Sequence, residues 1–262
     1  MECQNTIKHL KINKNKTIGE VVIVVEGESE EFKLLKHIFT EIFDYNYTSI
    51  RRNKVMKDVF VSKTNKNSSV IIANTSNSNI KTIMEDNDYK DKLYLLLKTD
   101  YNKSLKNIPI YILWDRDNDS NEEMVVLKSL NTFTSALDNN YDMNGLLLLS
   151  YPCVEVYELS NFDKKLWKSN FQTSNDAKKE MKSIRPKLID INEKTLLLAV
   201  ENMHRTLKEY GINSYDPSDF KKENLKVFKI ESEEYHNYKY FNALSLISIM
   251  LIDLGLIVEN DL

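Results

Sequence analysis

The sequence predicts an α/β protein built on a mostly parallel sheet flanked by helices, with a mainly helical C-terminal subdomain. Residues 21–25 (VVIVV), 108–114 (IPIYILW) and 146–149 (LLLL) are continuous apolar runs without polar alternation, which suits strands covered on both faces. Between them lie stretches whose apolar residues recur at helical spacing, as crossovers between parallel strands require. Gly and Pro number only 5 and 4 in 262 residues, too few for a turn-rich all-β fold.

Taken in order, residues 1–19 read as a polar lead-in, and the first strand then runs straight into Glu26, Gly27, Glu28, Ser29 and Glu30. Ser29 stands where an N-cap is expected. Phe32, Leu35, Ile38, Phe39, Ile42 and Phe43 predict an amphipathic helix over residues 30–43. Residues 45–67 are mixed and rich in Lys and Asn, and show no assignable element. Residues 70–73 form a short strand candidate, after which Ile80, Ile83, Met84, Leu93, Leu96 and Leu97 predict one or two crossover helices before Asp100. The run 108–114 also ends in acid, at Asp115-Arg116-Asp117-Asn118-Asp119. Met124, Leu127, Leu130 and Leu137 mark another helix, and the strand 145–150 leads through Tyr151, Pro152, Cys153 and Val154 to Glu155. Beyond Phe162 the apolar pattern is helical, over 193–210 with Gly211 as its stop and over 241–254 closed by Gly255. A boundary near residue 160 therefore separates a unit over 20–160 from a helical subdomain over 161–262.

Composition excludes several classes. With 42% apolar and 29% charged residues the chain is globular, and 36 Lys and Arg against 39 Asp and Glu give a net charge of −3, so no global cationic field announces a nucleic-acid binder. A local basic face remains open. Lys164, Lys165, Lys168, Lys178, Lys179, Lys182, Arg185 and Lys187, interleaved with Trp167 and Phe171, form the best candidate for gripping phosphate and stacking a base, against the plainer alternative of a solvated helical face. Cys3 and Cys153 form neither a CxxC pair nor a disulfide pattern, so a reducing cytoplasm is the simplest location. The N-terminal residues lack the apolar core of a secretory signal. Residues 243–258 are interrupted by Asp253 and too short to span a bilayer, so a buried helix is expected there and no membrane partner. His9, His37, His204 and His236 are scattered without metal spacing, which assigns them to packing or solvent.

The chemistry sits at the strand ends. Glu26, the Asp115 and Asp117 pair, and Glu155 each follow a buried strand, and in an open α/β sheet such ends meet along one edge. Carboxylates gathered there repel one another unless cations fill the space. Oxygen ligands without His or Cys favour Mg2+ or Mn2+ over zinc. Alternate residues of an extended chain point the same way, so Asp115 and Asp117 can reach a common ion while Arg116 points elsewhere. Each acid also has a bland reading: Glu26 as a solvated strand end, Glu155 as a surface acid, and Asp119 as a turn or capping residue.

The ordered pair of hhhhEG and, much later, hhhhDxD resembles the signature of the Toprim fold, shared by topoisomerases, bacterial primases and OLD-type nucleases. Glu26, Asp115 and Asp117 match its acidic positions. The segment VEGESEEFKLL is similar to the EGxxE form of OLD-like and RloB-like nucleases, and LLLLSYPCVEVYEL to the RloB-like S-x-P-x-x-E segment carrying Glu155. The resemblance covers residues 20–160, and the long separation of Glu26 from Asp115 implies an insertion over about 45–100. It implies a Mg2+- or Mn2+-dependent endonuclease, a hydrolase of DNA or RNA phosphodiester bonds, tRNA included. Glu26, Asp115 and Asp117 would hold the metal, and Glu30 and Glu155 would join them in catalysis. For Glu30 the alternative is an acid that favours its helix N-terminus through the dipole. The resemblance further implies the effector of an anti-phage defence system. Its controlling ATPase, of ABC/SMC-like or AAA type, must be another polypeptide, because this chain has no GxxxxGK(S/T) loop. A homodimer is compatible with the sequence. Two alternatives stand: a non-catalytic Toprim-like partner-binding subunit, or a primase-like nucleotidyl transferase, which the absence of a zinc-binding segment disfavours.

Overall fold

A computed structural model describes residues 9–26, 30–52, 55–74, 80, 108–137, 145–184 and 187–260. The chain begins with β1 (His9–Ile12), β2 (Glu20–Val25) and α1 (Glu30–His37), which continues as a π-helical turn over Ile38–Ile42. Then come β3 (Tyr45–Arg52), β4 (Val55–Ser62), β5 (Ser69–Asn74), β6 (Ile110–Asp115), α2 (Glu123–Thr132), β7 (Thr134–Ser135) and β8 (Gly145–Tyr151). The remainder comprises α3 (Glu155–Ser160), β9 (Asn170–Phe171), α4 (Ser174–Ile184), α5 (Glu193–Glu209) and α6 (Lys221–Tyr238), then β10 (Phe241–Asn242), β11 (Leu244–Ser245), α7 (Ile247–Asp253) and β12 (Ile257–Asn260).

The fold is α/β, as the apolar runs predict. Its main sheet has the order β11-β8-β6-β2-β5-β4-β3, with β7 also paired to β8. The four middle strands β8, β6, β2 and β5 are parallel, and antiparallel strands close both edges. Val22, Ile23 and Val25 of β2 and Leu147, Leu148 and Leu149 of β8 are fully buried. Each such side chain contributes about 1.5–3 kcal/mol by leaving water. Continuous burial on both faces is why these strands carry no polar alternation. The parallel registers Val25↔Leu113 and Asp115↔Ser150 bring the exits of β2, β6 and β8 to the same sheet edge.

Three regions differ from the expectation. Residues 45–67, left without an element inside the expected insertion, carry β3 and β4, while the strand candidate 70–73 is β5, a member of the main sheet paired directly with β2 through Ile23↔Ile72. They are part of the sheet because Tyr45, Phe60, Val70 and Ile72 supply buried apolar surface there, with Phe39 and Phe60 in ring contact at 5.9 Å. In the polar lead-in, β1 pairs antiparallel with β12. In place of one helix over 241–254, β10 and β11 come first, with Leu244↔Tyr151 and Ser245↔Ser150 extending the main sheet, and α7 starts only at Ile247. Gly27, Glu28, Ser29, Ile83, Met84, Leu93, Leu96, Leu97 and Arg185 lie outside the described residues.

Residues 161–262 contribute to the same core as the sheet. Leu196, Val200, Met203 and Leu207 of α5, Val227 of α6, and Ile249 and Met250 of α7 join one buried cluster with β2, β6 and β8. Among the described residues no helix is long and apolar enough to cross a membrane.

Candidate functional site

Two backbone hydrogen bonds fasten the exit of β6 to that of β8: Arg116 N–H donates to the Ser150 carbonyl (2.8 Å) and Asp117 N–H to the Pro152 carbonyl (3.0 Å). A third contact crosses to β2, where the Glu26 carboxylate accepts from Asp115 N–H at 2.9 Å. The Asp115 carboxylate accepts in turn from Val154 N–H, just ahead of Glu155 at the start of α3. Glu26, Asp115 and Glu155 thus come together from three neighbouring strands.

Burial makes this a costly gathering of acid. Glu26 is 9% exposed, and desolvation pushes its pKa up to about 8, with Glu31 and Asp117 adding repulsion against the pull of the Asp115 N–H bond and Lys178. Asp115 is raised well above the usual carboxylate range by burial and then by Glu26, Glu31 and Glu155. Burial also raises Glu31, helped by Glu155 and Glu30, and lifts Glu158 to about 7 with the help of Glu155 and Glu30. At neutral pH the cluster therefore holds protons where no cation balances it. Among the described residues Lys178 of α4 faces it, with Nζ 3.6 Å from Glu155 Oε1, and Lys33 acts on Glu158. Burial lowers the Lys178 pKa, but Glu155, Cys153 and Asp115 outweigh that and raise it.

Glu30 sits in the first turn of α1, exposed and paired with Lys33 at 2.9 Å, at the fringe of the cluster. Its neighbour Glu31 is the buried acid of that turn. Glu31 falls in the pattern 31, 34, 35, 38 with Leu34, Leu35 and Ile38, so helical spacing alone places it on the inward face. Sequence reasoning missed Glu31 and also Glu158, one turn beyond Glu155. Asp117 is turned by its own loop: Oδ1 accepts from Asp119 N–H and Oδ2 from the Ser120 hydroxyl, both at 3.3 Å, while its charge still reaches Glu26. Asp119 is an exposed turn residue, as read from the sequence. Within the basic stretch, Lys178 meets the acids, Lys179 pairs with Asp176 at 3.1 Å, and Lys168 lies over Trp167 at 4.7 Å. Three of the four histidines make contacts within the fold: His37 with the Ile191 carbonyl, His204 with the Tyr215 hydroxyl, His236 with Glu123.

The donor set consists of carboxylate oxygens, and Glu155 Oε2 is buried without a hydrogen-bond partner among the described residues, which suits a hard divalent cation. No three His, Cys, Asp or Glu side chains among the described residues are grouped closely enough to hold a metal ion as they stand. The acids share an edge and a field without forming a closed ligand cage. Comparison with protein-family models, curated proteins and solved structures finds no match to this chain.

Proposed function

We propose that the chain is a divalent-metal-dependent nuclease acting on DNA or RNA. The observation that carries this reading is the meeting of Glu26, Asp115 and Glu155 at the exits of three adjacent parallel strands, with Asp115 electrostatically coupled to the other two. Glu26 and Asp115, with Asp117, would hold Mg2+ or Mn2+. A bound ion there supplies Lewis-acid stabilisation of charge on a phosphodiester and makes a water molecule more acidic. Around it, Glu155 is positioned to take a proton through its unpartnered Oε2, and the Lys178 ammonium offers a cation to a phosphate oxygen. Filling the cluster with positive charge would also release the protons that its burial retains. The motif resemblance extends the proposal to an anti-phage effector controlled by a separate ATPase.

The test is cleavage of plasmid, single-stranded DNA and tRNA by purified protein with Mg2+ or Mn2+. Asp115→Ala is expected to lower the rate roughly 100-fold or more, the scale on which removal of a charge-stabilising group acts. Cleavage that survives in Asp115→Ala would sink the assignment. For an effector held silent by its partner, cellular toxicity on co-expression, lost in Glu26→Ala, is the corresponding measurement.

A second reading has its own support. Lys178 already balances part of the acid cluster, and among the described residues no three ligands close on one point, as suits a non-catalytic partner-binding module. Calorimetric titration separates the two, since this module would take up neither Mg2+ nor Mn2+ at millimolar concentration.

A further inference from the structure

Between the two acids of the Asp-x-Asp segment, Arg116 turns away from them into the protein and is 1% exposed. Its guanidinium carbon lies 5.5 Å from the Phe228 ring of α6 and 5.4 Å from the Phe241 ring of β10. One end donates to the Asn121 carbonyl at 3.0 Å and the other to Asn118 Oδ1 at 3.3 Å. Asn121, also buried, donates from Nδ2 to the Asp115 carbonyl at 3.1 Å, and its own N–H bonds the Asp117 carbonyl at 3.0 Å. The hydrogen bonds thus run from Arg116 to Asn121 and back to both acids. Among the described residues no carboxylate forms an ion pair with Arg116, and its Nε is buried without a partner.

A buried cation held by carbonyls and rings, with no opposite charge in contact, is a poor device for stability, because an apolar side chain of similar length fills the space without the desolvation cost. Its rigid, planar, multi-donor head is a good device for geometry, which a lysine cannot copy. We infer that Arg116 is a positioning residue that pins the loop 115–121 to the wall formed by α6 and β10 and so presents Asp115 and Asp117 toward Glu26. Its consequence for metal and cleavage rests on the nuclease reading; its consequence for the loop does not.

Arg116→Met and Arg116→Lys in the full chain test this by thermal melting, amide exchange, Mn2+ titration and steady-state cleavage. In Arg116→Met the melting midpoint is expected to hold or rise, while the amides of Asp117, Ser120 and Asn121 exchange at least tenfold faster. Mn2+ affinity and kcat should each fall about 10- to 100-fold, as for supports behind metal ligands, with KM for nucleic acid within twofold. Arg116→Lys should not rescue. Unchanged exchange at those amides overturns the inference, as does wild-type Mn2+ affinity in Arg116→Met beside a wild type that binds the ion. If the wild type binds no Mn2+, the nuclease reading falls and the exchange result alone decides the role of Arg116. Failure of both variants to fold would also overturn it, since the residue would then be holding the core.

Discussion

Glu231 shows how much free energy a single buried acid can tie to pH. It is fully buried in α6, where its carboxylate accepts from the Tyr210 hydroxyl and, at 3.0 Å, from Asn242 N–H. Burial nonetheless pushes its pKa up to about 8 from an ordinary 4.5, outweighing both hydrogen bonds. The native state keeps this proton over a range in which the unfolded chain has lost it. Its contribution is therefore most favourable below about pH 4.5 and declines as pH rises toward 8, by at most ~1.4 kcal/mol per pH unit. Glu231→Gln keeps an acceptor for Asn242 and removes the titration. Urea unfolding at pH 5, 6, 7 and 8 should show the variant gaining on the wild type at each step, and a constant difference would refute the assignment. Glu26 carries the same sign, so only the difference between variant and wild type isolates Glu231.

Strand β8 starts in a conformation that only glycine takes easily. Gly145 has φ of +92°, and a Cβ there would lie 3.0 Å from Ile110 Cγ2 and from the Ile110 carbonyl oxygen on β6. Gly145→Ala should therefore cost roughly 1–2 kcal/mol from the backbone conformation, plus whatever the clash adds. A urea midpoint equal to that of the wild type would show that the strand start shifts freely. The strands β2, β6 and β8 were legible because burial on both faces demands uninterrupted apolar runs, and the shared edge of Glu26, Asp115 and Glu155 was legible because each stands at the end of such a strand or within four residues of it. The hairpin β3–β4 was not, since Tyr45 and Tyr47 alternate with Asn46 and Thr48 amid Lys and Asn that resemble loop. The two-residue strands β10 and β11 owe their form to Phe171 and Tyr151 across the pairing, far away in sequence. The acid cluster was only partly readable for a similar reason. Glu31 needs the helix phase, and Lys178 reaches Glu155 only through the packing of α4 on α3.

One buried cluster joins β2, β6 and β8 to α5, α6 and α7, so residues 161–262 are expected to melt together with the sheet. In Trp114→Phe the remaining tryptophan is Trp167, in the C-terminal part, while far-UV circular dichroism reports the whole chain. The two midpoints in urea should coincide, and separated transitions would mark residues 161–262 as a cooperative unit of their own. The pairing of β1 with β12, which sets His9 opposite Asn260, has a topological consequence. Residues 9 and 260 are neighbours across this pairing, so a short linker joining them would close the intervening chain into a ring at small entropic cost. Opened instead at the exposed Asn213–Ser214 link, such a circular permutant would keep every strand of the sheet and the acid edge intact.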